Sequence, residues 1–384
     1  MQKKIIALAI AGLASTAAFA QTNVTIYGVA DATFDSIKTT GNVAGVSIEP
    51  RHNRISTNSS LIGFKGSEDL GNGLKAVFQF EGSVGFDGGA AFGGSNRDSY
   101  VGVAGGFGTV VAGNLTGPTR AFGAAVDVNA GATGISANSG IIGKFGGFLE
   151  GVTTDAGGNL TGFTGAQTAI GRSATAASPF DTRWKNTIAY ISPTMAGFTV
   201  IGAYVANENK TGNINTYGYD VGAKYAAGPV LVGLSYNKAM VNNDVAAAGL
   251  TDITAADLRL VASFDAGVVK INGLAERVKV TATGISETQK VYGLGAIVPV
   301  GKGKVTGQYY VARDISGTVF GTDTGAKLWS VGYEHSLSKR TILKANYARL
   351  SNDNQAGYQF GVNSGAAATG ETSSGFQFGV RHSF

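Results

Sequence analysis

Hydrophobic and polar residues alternate with a period of two along most of the chain beyond residue 24. In the segment 74–82, Leu74, Ala76 and Phe78 share one parity, while Lys75 and Glu81 fall on the other. Segment 376–384 repeats the pattern. Because successive side chains of a β-strand point to opposite faces, each segment predicts a strand with one apolar and one polar face.

Two kinds of connection alternate along the chain. Short turns containing Gly or Pro join the two strands of each hairpin, and long polar stretches join one hairpin to the next. Sixteen strands, seven short turns and eight longer connections result, which predicts an all-β, 16-stranded antiparallel transmembrane β-barrel. A soluble sandwich of two sheets would also bury alternate residues and stays an alternative. The predicted strands are 24–37, 54–65, 74–82, 97–104, 109–113, 184–191, 198–205, 217–225, 230–236, 258–264, 268–280, 289–298, 304–311, 327–335, 341–350 and 376–384.

The first twenty residues have the pattern of a secretory signal peptide: Lys3 and Lys4, then an apolar run, then Ala18-Phe19-Ala20. We expect residues 1–20 to be cleaved and residues 21–384 to form the barrel. The chain has 30 basic and 25 acidic residues, so loss of the two lysines leaves a net charge of about +3. That excess is too small to indicate a nucleic-acid partner.

Composition favours a membrane barrel over a soluble exported protein. Only 14% of residues are charged, and mean hydropathy is +0.10. The 59 glycines disfavour long helices but suit twisted strands and tight turns. There is no cysteine, which excludes disulfides and thiolate metal sites. Aromatic residues at strand ends suit the two membrane interfaces, namely Tyr27, Trp184, Tyr190, Tyr225, Tyr236, Tyr309, Tyr333 and Tyr347.

Several stretches resemble the general diffusion porins of β-proteobacteria, related to the neisserial porins. The most specific runs from Gly63 to Ala76 (GFKGSEDLGNGLKA) and is similar to the family's first periplasmic turn. The opening strand from Val24 (VTIYGVAD), the run from Asn96 (NRDSYVG), Ser192-Pro193 and the C-terminal strand also match.

The resemblance implies a homotrimeric outer-membrane channel for passive diffusion of small hydrophilic solutes and ions. It further implies that the long third loop, within residues 114–182, folds into the lumen. Outer-membrane lipids, lipopolysaccharide and the barrel-assembly machinery are the other expected partners. The C-terminal strand resembles the assembly signal of outer-membrane barrels, carried by Phe376, Phe378, Val380 and Phe384.

The chain departs from the family at two positions, because Leu61 and Asn114 stand where members often have an arginine of the pore constriction. The remaining charges predict a constriction with mild anion preference, since a narrow site between low-dielectric walls focuses the field of a few charges. The candidates on the barrel wall are Arg97, Lys75 and Glu81, and those on the third loop are Arg120, Asp127, Lys144, Glu150 and Asp155.

We expect no enzymatic activity, no catalytic residue, no cofactor and no metal site. No G-x-S-x-G or zinc motif occurs, and none of His52, His335 and His382 can be paired with a nucleophile from the sequence. The stronger alternative is a substrate-specific or occluded outer-membrane barrel with a binding or adhesive role. Bulky apolar residues or a plug in the lumen would distinguish it.

Overall fold

The computed structural model describes residues 23–41, 50–88, 97–145, 152–154, 160–163, 180–206, 214–243, 253–282, 285–317, 321–361 and 369–384. The predicted signal peptide, residues 1–20, lies outside these ranges. The fold is a closed antiparallel β-barrel. Its strands are β1 Asn23–Thr40, β2 His52–Ser56, β3 Leu61–Gly71, β4 Leu74–Ser83, β5 Ser99–Gly105, β6 Gly108–Thr116, β9 Arg183–Ile191, β10 Phe198–Val205, β11 Ile214–Ala227, β12 Val230–Asn243, β13 Ile253–Asp265, β14 Lys270–Ala282, β15 Ile285–Val300, β16 Gly303–Ala312, β17 Ala326–Ser336, β18 Thr341–Asn352 and β19 Thr372–Ser383; a separate antiparallel pair is β7 Val152–Thr154 with β8 Leu160–Phe163.

Strands β2 and β3 are two pieces of one barrel strand. Both pair with β1, β3 along Asn23–Val29 and β2 along Thr33–Ile37. The 17 strands of the sheet therefore occupy sixteen positions around the barrel, as predicted. The prediction of one continuous strand at 54–65 was wrong, because residues 57–60 do not pair with β1 and so divide it into two strands. There, Ser60 donates its hydroxyl to the Thr57 carbonyl at 2.7 Å and closes a local turn.

The barrel closes between its first and last strands. Strand β1 pairs with β19 over twelve residue pairs from Val29–Ser383 to Thr40–Thr372. Gly28 and Phe384 exchange two further backbone hydrogen bonds of 3.1 and 3.0 Å. Closure leaves no unpaired sheet edge at this seam, which a lipid environment requires.

The barrel is apolar outside and polar inside, the reverse of a soluble domain. On β19, Phe376 and Phe378 are 56% and 57% exposed, whereas Gln377 between them is 1% exposed. On β1, Asp31, Thr33 and Asp35 are buried on the inward parity. This alternation confirms the two-faced strands and fits a lipid-facing wall around a polar interior.

The third connection, residues 117–182 between β6 and β9, contains regular structure. It begins with helix α1, Pro118–Ala125, and includes a 3₁₀ turn, Asn138–Gly140. Its described part contacts side chains on the inward faces of distant strands: Gly143 N–H donates to Glu276 on β14 at 2.8 Å, and Ala130 N–H donates to Glu334 on β17 at 2.9 Å. This part of the connection therefore lies inside the barrel.

An apolar cluster forms inside the barrel where the third connection meets the wall. Phe122, Ile135 and Ile141 of the connection pack in one buried cluster with Leu328 and Leu350 of β17 and β18. The cluster holds the connection against one side of the interior. Within the described ranges, every helix is too short or too polar to cross a bilayer.

Candidate functional site

Strand β4 and the segment before β5 supply the first charges of the site. Glu81 lies near the end of β4 that is far from the short turn between β3 and β4. It is buried and accepts a 2.8 Å hydrogen bond from the Tyr27 hydroxyl. Arg97 forms an ion pair with Glu81, with Nε 3.4 Å from Oε2. Tyr27 points inward, because its hydroxyl reaches Glu81 and its ring covers Gly63. The prediction that Tyr27 lies at the membrane interface was therefore wrong.

A second ion pair stands beside the first. Arg183, at the start of β9, binds Asp98 with Nε 3.0 Å from Oδ2. Asp98 also accepts hydrogen bonds from the backbone N–H and hydroxyl of Thr116 at 2.6 and 3.1 Å. The carboxylate therefore joins the segment before β5 to the ends of β6 and β9, where the third connection leaves and rejoins the wall.

The third connection brings two more cations to this region. Arg120 lies on the partly exposed side of α1 and donates to the backbone carbonyl of Asp181. Lys144 lies near enough for Asp181 to stabilise its charge and for Arg120 to oppose it. We call Arg97, Arg120, Lys144 and Arg183 the basic cluster.

Arg120 links the basic cluster electrostatically, because its charge opposes those of both Arg97 and Lys144. Burial lowers the pKa of the Arg97 guanidinium, the charges of Arg183 and Arg120 lower it further, and Glu81 and Asp98 raise it. Burial likewise lowers the pKa of the Lys144 amine. Among the described residues, the four cations of the cluster outnumber by one the carboxylates of Glu81, Asp98 and Asp181, and Asp181 also faces Arg259 at 3.8 Å.

Asp127 is bound by groups of the third connection and not by the basic cluster. Its carboxylate accepts bonds from the backbone N–H groups of Asn129 and Asn138 at 2.9 and 2.7 Å and from the Asn129 amide at 2.7 Å. Burial raises the pKa of Asp127 to about 6, although these hydrogen bonds lower it. Asp127 therefore ties the third connection to itself instead of facing the channel.

Lys75 is also separated from the cluster. It is exposed and lies two residues beyond the short turn between β3 and β4. Six residues of strand, about 20 Å, separate it from Glu81. Sharing a parity on one strand does not place two side chains at the same depth, so the structure brings Glu81 and Arg97 together and leaves Lys75 at the barrel end.

Asn114 and Leu61, the two residues that depart from the porin pattern, lie in different surroundings. The Asn114 side chain donates to the Arg97 carbonyl at 2.8 Å and so supports the backbone of a cluster residue. Leu61 lines an apolar cavity of about 530 Å³ with Phe64 and Phe384 and carries no charge to the interior. Glu150 and Asp155 lie outside the described residues.

Ion pairs also line the wall formed by β1 and the last strands. Asp31 binds Lys344 at 2.7 Å and Arg381 at 3.0 Å, and Asp35 binds Arg54 at 3.2 Å. The exposed fractions of the Arg54 and Arg381 side chains are 23% and 18%, so both cations keep contact with interior water.

Sequence reasoning missed several charged residues of the interior. The only signal for Arg183 was a basic residue at the strand start that follows the longest connection. Arg259 of β13 is fully buried between Asp257 and Glu276, at 2.9 and 2.6 Å. Strand parity could have placed these three inward, but only the fold shows that Arg259 and Glu276 contact the third connection.

The architecture and its charged interior define a membrane β-barrel channel. The family model for Gram-negative porins matches residues 7–355, and the chain belongs to that family. Outer membrane porin protein 32 of Delftia acidovorans is 33% identical over 402 residues, covering 100% of both chains. Major outer membrane protein P.IB of Neisseria gonorrhoeae is 41% identical over 128 residues, 33% of this chain and 36% of that protein.

Solved structures show the same fold. The anion-selective porin from Comamonas acidovorans superposes with a TM-score of 0.73 at 28% identity, covering 95% of this chain and 100% of that one. OmpT of Vibrio cholerae, solved in a trimer form, superposes with a TM-score of 0.62 at 13% identity, covering 94% and 99%. The resemblance to β-proteobacterial and neisserial porins is confirmed, and the protein is an outer-membrane diffusion channel.

Proposed function

We propose that the channel prefers anions mildly and that the basic cluster sets this preference. The observation that carries the proposal is the meeting of Arg97 and Arg183 from the wall with Arg120 and Lys144 from the third connection, against three carboxylates. Positive charges on both sides of a narrow passage attract anions and repel cations. A similar chain, the porin from Comamonas acidovorans, is described as anion-selective, which supports the proposal.

Planar-bilayer recordings under a salt gradient test this directly. We expect a reversal potential of the anion-preferring sign, and a smaller one for the R97Q/R120Q double variant. The K75Q variant is the control, since it removes a positive charge at the barrel end, whereas the double variant removes two within the basic cluster. A cation-preferring reversal potential for the unmodified channel, or an equal shift from K75Q, would refute the proposal.

The chain is further proposed to assemble as a homotrimer through outward faces near the two termini. Val24 and Ile26 of β1 are 57% and 60% exposed, and the apolar cavity lined by Phe64 and Phe384 opens beside them. These surfaces suit either lipid or another subunit. A band in SDS that falls to monomer size only after boiling would support the trimer, whereas monomer migration without boiling would count against it.

We also propose how the protein is exported and assembled. Residues 1–20 are the cleaved signal, so the N-terminal residue of the purified protein should be Gln21, and an uncleaved Met1 would contradict this. The assembly machinery recognises the last strand through Phe376, Phe378, Val380 and Phe384, and lipopolysaccharide surrounds the barrel. Small hydrophilic solutes and ions then pass by diffusion without chemical conversion, so the protein is no enzyme and needs no cofactor.

A further inference from the structure

Helix α1 has one face against the barrel wall and one face toward the interior. Pro118, Thr119, Phe122 and Gly123 are buried, whereas Ala124 and its neighbour Ala125 are exposed and Arg120 is partly exposed. Residues three and four apart share a helix face, so the wall contact fixes which way Arg120 points.

Asp220 of β11 holds the beginning of this helix. Its carboxylate accepts the Thr119 hydroxyl at 2.7 Å and the Thr119 backbone N–H at 3.2 Å. A carboxylate at a helix N-terminus satisfies a free N–H group and complements the helix dipole. A Cβ at Gly117 would lie 2.1 Å from Asp220 Oδ2, so glycine gives the carboxylate its room.

Arg259 of β13 holds the same residue from its other side. Its guanidinium donates to the Thr119 carbonyl at 2.8 Å and lies 3.8 Å from the Asp181 carboxylate. The backbone carbonyl of Asp181 in turn accepts from Arg120. Arg259 therefore contacts both the residue that precedes Arg120 and the residue that binds the Arg120 side chain.

The wall beneath the helix is shaped for this contact. A Cβ at Gly222 would lie 2.7 Å from Pro118 and 2.9 Å from Phe122, and a Cβ at Gly233 would lie 3.0 Å from Phe122. These glycines let the helix approach the strands closely. Thr119 is fully buried, so it contacts no solute in the channel.

We propose that Asp220 is a positioning residue for ion selectivity, acting through Thr119 to hold Arg120 in the basic cluster, while Arg259 binds the carbonyl of the same threonine. This inference rests on the proposed anion preference and adds how one of its charges is placed. Arg120 then has a fixed location, which a charge needs in order to bias permeation at one depth of the channel.

The test is a double-mutant cycle between Thr119→Val and Arg120→Gln, measured as the anion-to-cation permeability ratio. T119V removes the hydroxyl that binds Asp220 without changing any charge. A unit charge about 7 Å from a permeating ion in water changes the energy of that ion by about RT, with opposite signs for an anion and a cation, so R120Q should lower the anion-to-cation ratio by up to about seven-fold. T119V should lower it in the same direction, and by less in the R120Q background.

Two matched variants separate positioning from general damage. T119S keeps the hydroxyl and should restore the original ratio. T306V removes a buried hydroxyl on the inward face of β16, away from α1, and should leave the ratio unchanged. If T119V does not assemble, D220N in the R120Q background replaces it, with the same expectation that the shift in ratio shrinks when Arg120 is absent.

The outcomes distinguish the inference from the proposal on which it rests. An unchanged ratio for R120Q would show that Arg120 carries no selectivity. A lowered ratio for R120Q with no effect of T119V would overturn the positioning role alone. An equal effect of T119V with and without Arg120 would also overturn it, because Thr119 would then act by another route.

Discussion

At the scale of single residues, Asp127 has an unusual proton affinity because of its surroundings. Burial raises its pKa from 3.8 to about 6, despite three donors that favour the ionised form. A carboxyl group whose folded pKa is raised contributes stability that is full below its ordinary pKa and is lost as the pH rises through the folded value. The packing of the third connection should therefore weaken between pH 4 and 7.

We predict that the amides of Asn129 and Asn138 lose protection from hydrogen exchange as the pH rises from 4 to 7, after correction for the intrinsic rate. A pKa difference of about two units corresponds to about 3 kcal/mol, or roughly 100-fold in local opening. The D127N variant, which has no proton to lose, should show a flatter profile. Protection that increases with pH in the unmodified protein would contradict the prediction.

The ion pair between Glu81 and Arg97 yields a second prediction. In the E81Q variant, Arg97 keeps its charge but loses the carboxylate that offsets it at 3.4 Å. We predict a rise of up to about seven-fold in the anion-to-cation permeability ratio, by the same Coulomb estimate as for one unit charge acting on both ions. Reversal potentials measure it. The E68Q control alters a carboxylate within β3, close to the short turn that follows it, and should leave the ratio unchanged. An unchanged ratio in E81Q would remove Glu81 from the site.

At the scale of elements, the seam between β1 and β19 depends on a close contact at Gly28. A Cβ there would lie 2.3 Å from the Phe384 ring and 2.7 Å from the Leu61 carbonyl, so either the ring or the strands must move. Overpacking of this kind costs about 1–3 kcal/mol.

We therefore predict that G28A lowers the temperature at which the folded band is lost in SDS, because it disturbs barrel closure. Gly273 on β14 is the matched control, since a Cβ there would meet nothing within 4 Å. G273A should melt like the unmodified protein. If both variants melt alike, the contact between Gly28 and Phe384 does not limit the stability of the seam.

At the scale of the whole molecule, ion selectivity depends on the salt concentration. The screening length is about 10 Å at 0.1 M and about 3 Å at 1 M, so high salt shortens the reach of the basic cluster. We predict a larger anion-to-cation permeability ratio at 0.1 M than at 1 M for the same gradient, measured in bilayers. The R97Q/R120Q variant should lose most of this difference. A ratio independent of salt would assign selectivity to pore size instead.

The same scale explains the apolar cluster inside the barrel. An occluded barrel was expected to have a lumen filled by bulky apolar residues or a plug. Phe122, Ile135 and Ile141 do fill one side of the lumen. Yet Arg97 and Arg183 on the side of β4 to β9 keep side-chain exposures of 17% and 16%. Membership of the porin family assigns the channel function, and the cluster serves to anchor the third connection.

The sequence by itself determined the barrel, because strand alternation and turn chemistry are local properties. Fifteen of the predicted strands correspond to continuous strands, and the sixteenth is the one divided into β2 and β3. Side-chain parity also placed Phe376, Phe378, Val380 and Phe384 outward, and it placed Glu81 inward. The division at residues 57–60 was missed, although the run Thr57-Asn58-Ser59-Ser60 consists of turn-forming residues. Ser60 also finds partners across the sheet, which only the structure shows.

Only the tertiary structure decided which charges meet. Arg97 and Arg120 are predicted from the sequence, but Arg183, whose charge acts on Arg97, and Asp181, which binds Arg120, stand at the far end of a connection more than 60 residues long. Asp220 and Arg259, which hold α1, lie 101 and 140 residues beyond Thr119 along the chain. Periodicity reports the face of a strand, whereas the depth of a side chain and its partners across the lumen depend on how the closed sheet and the third connection pack.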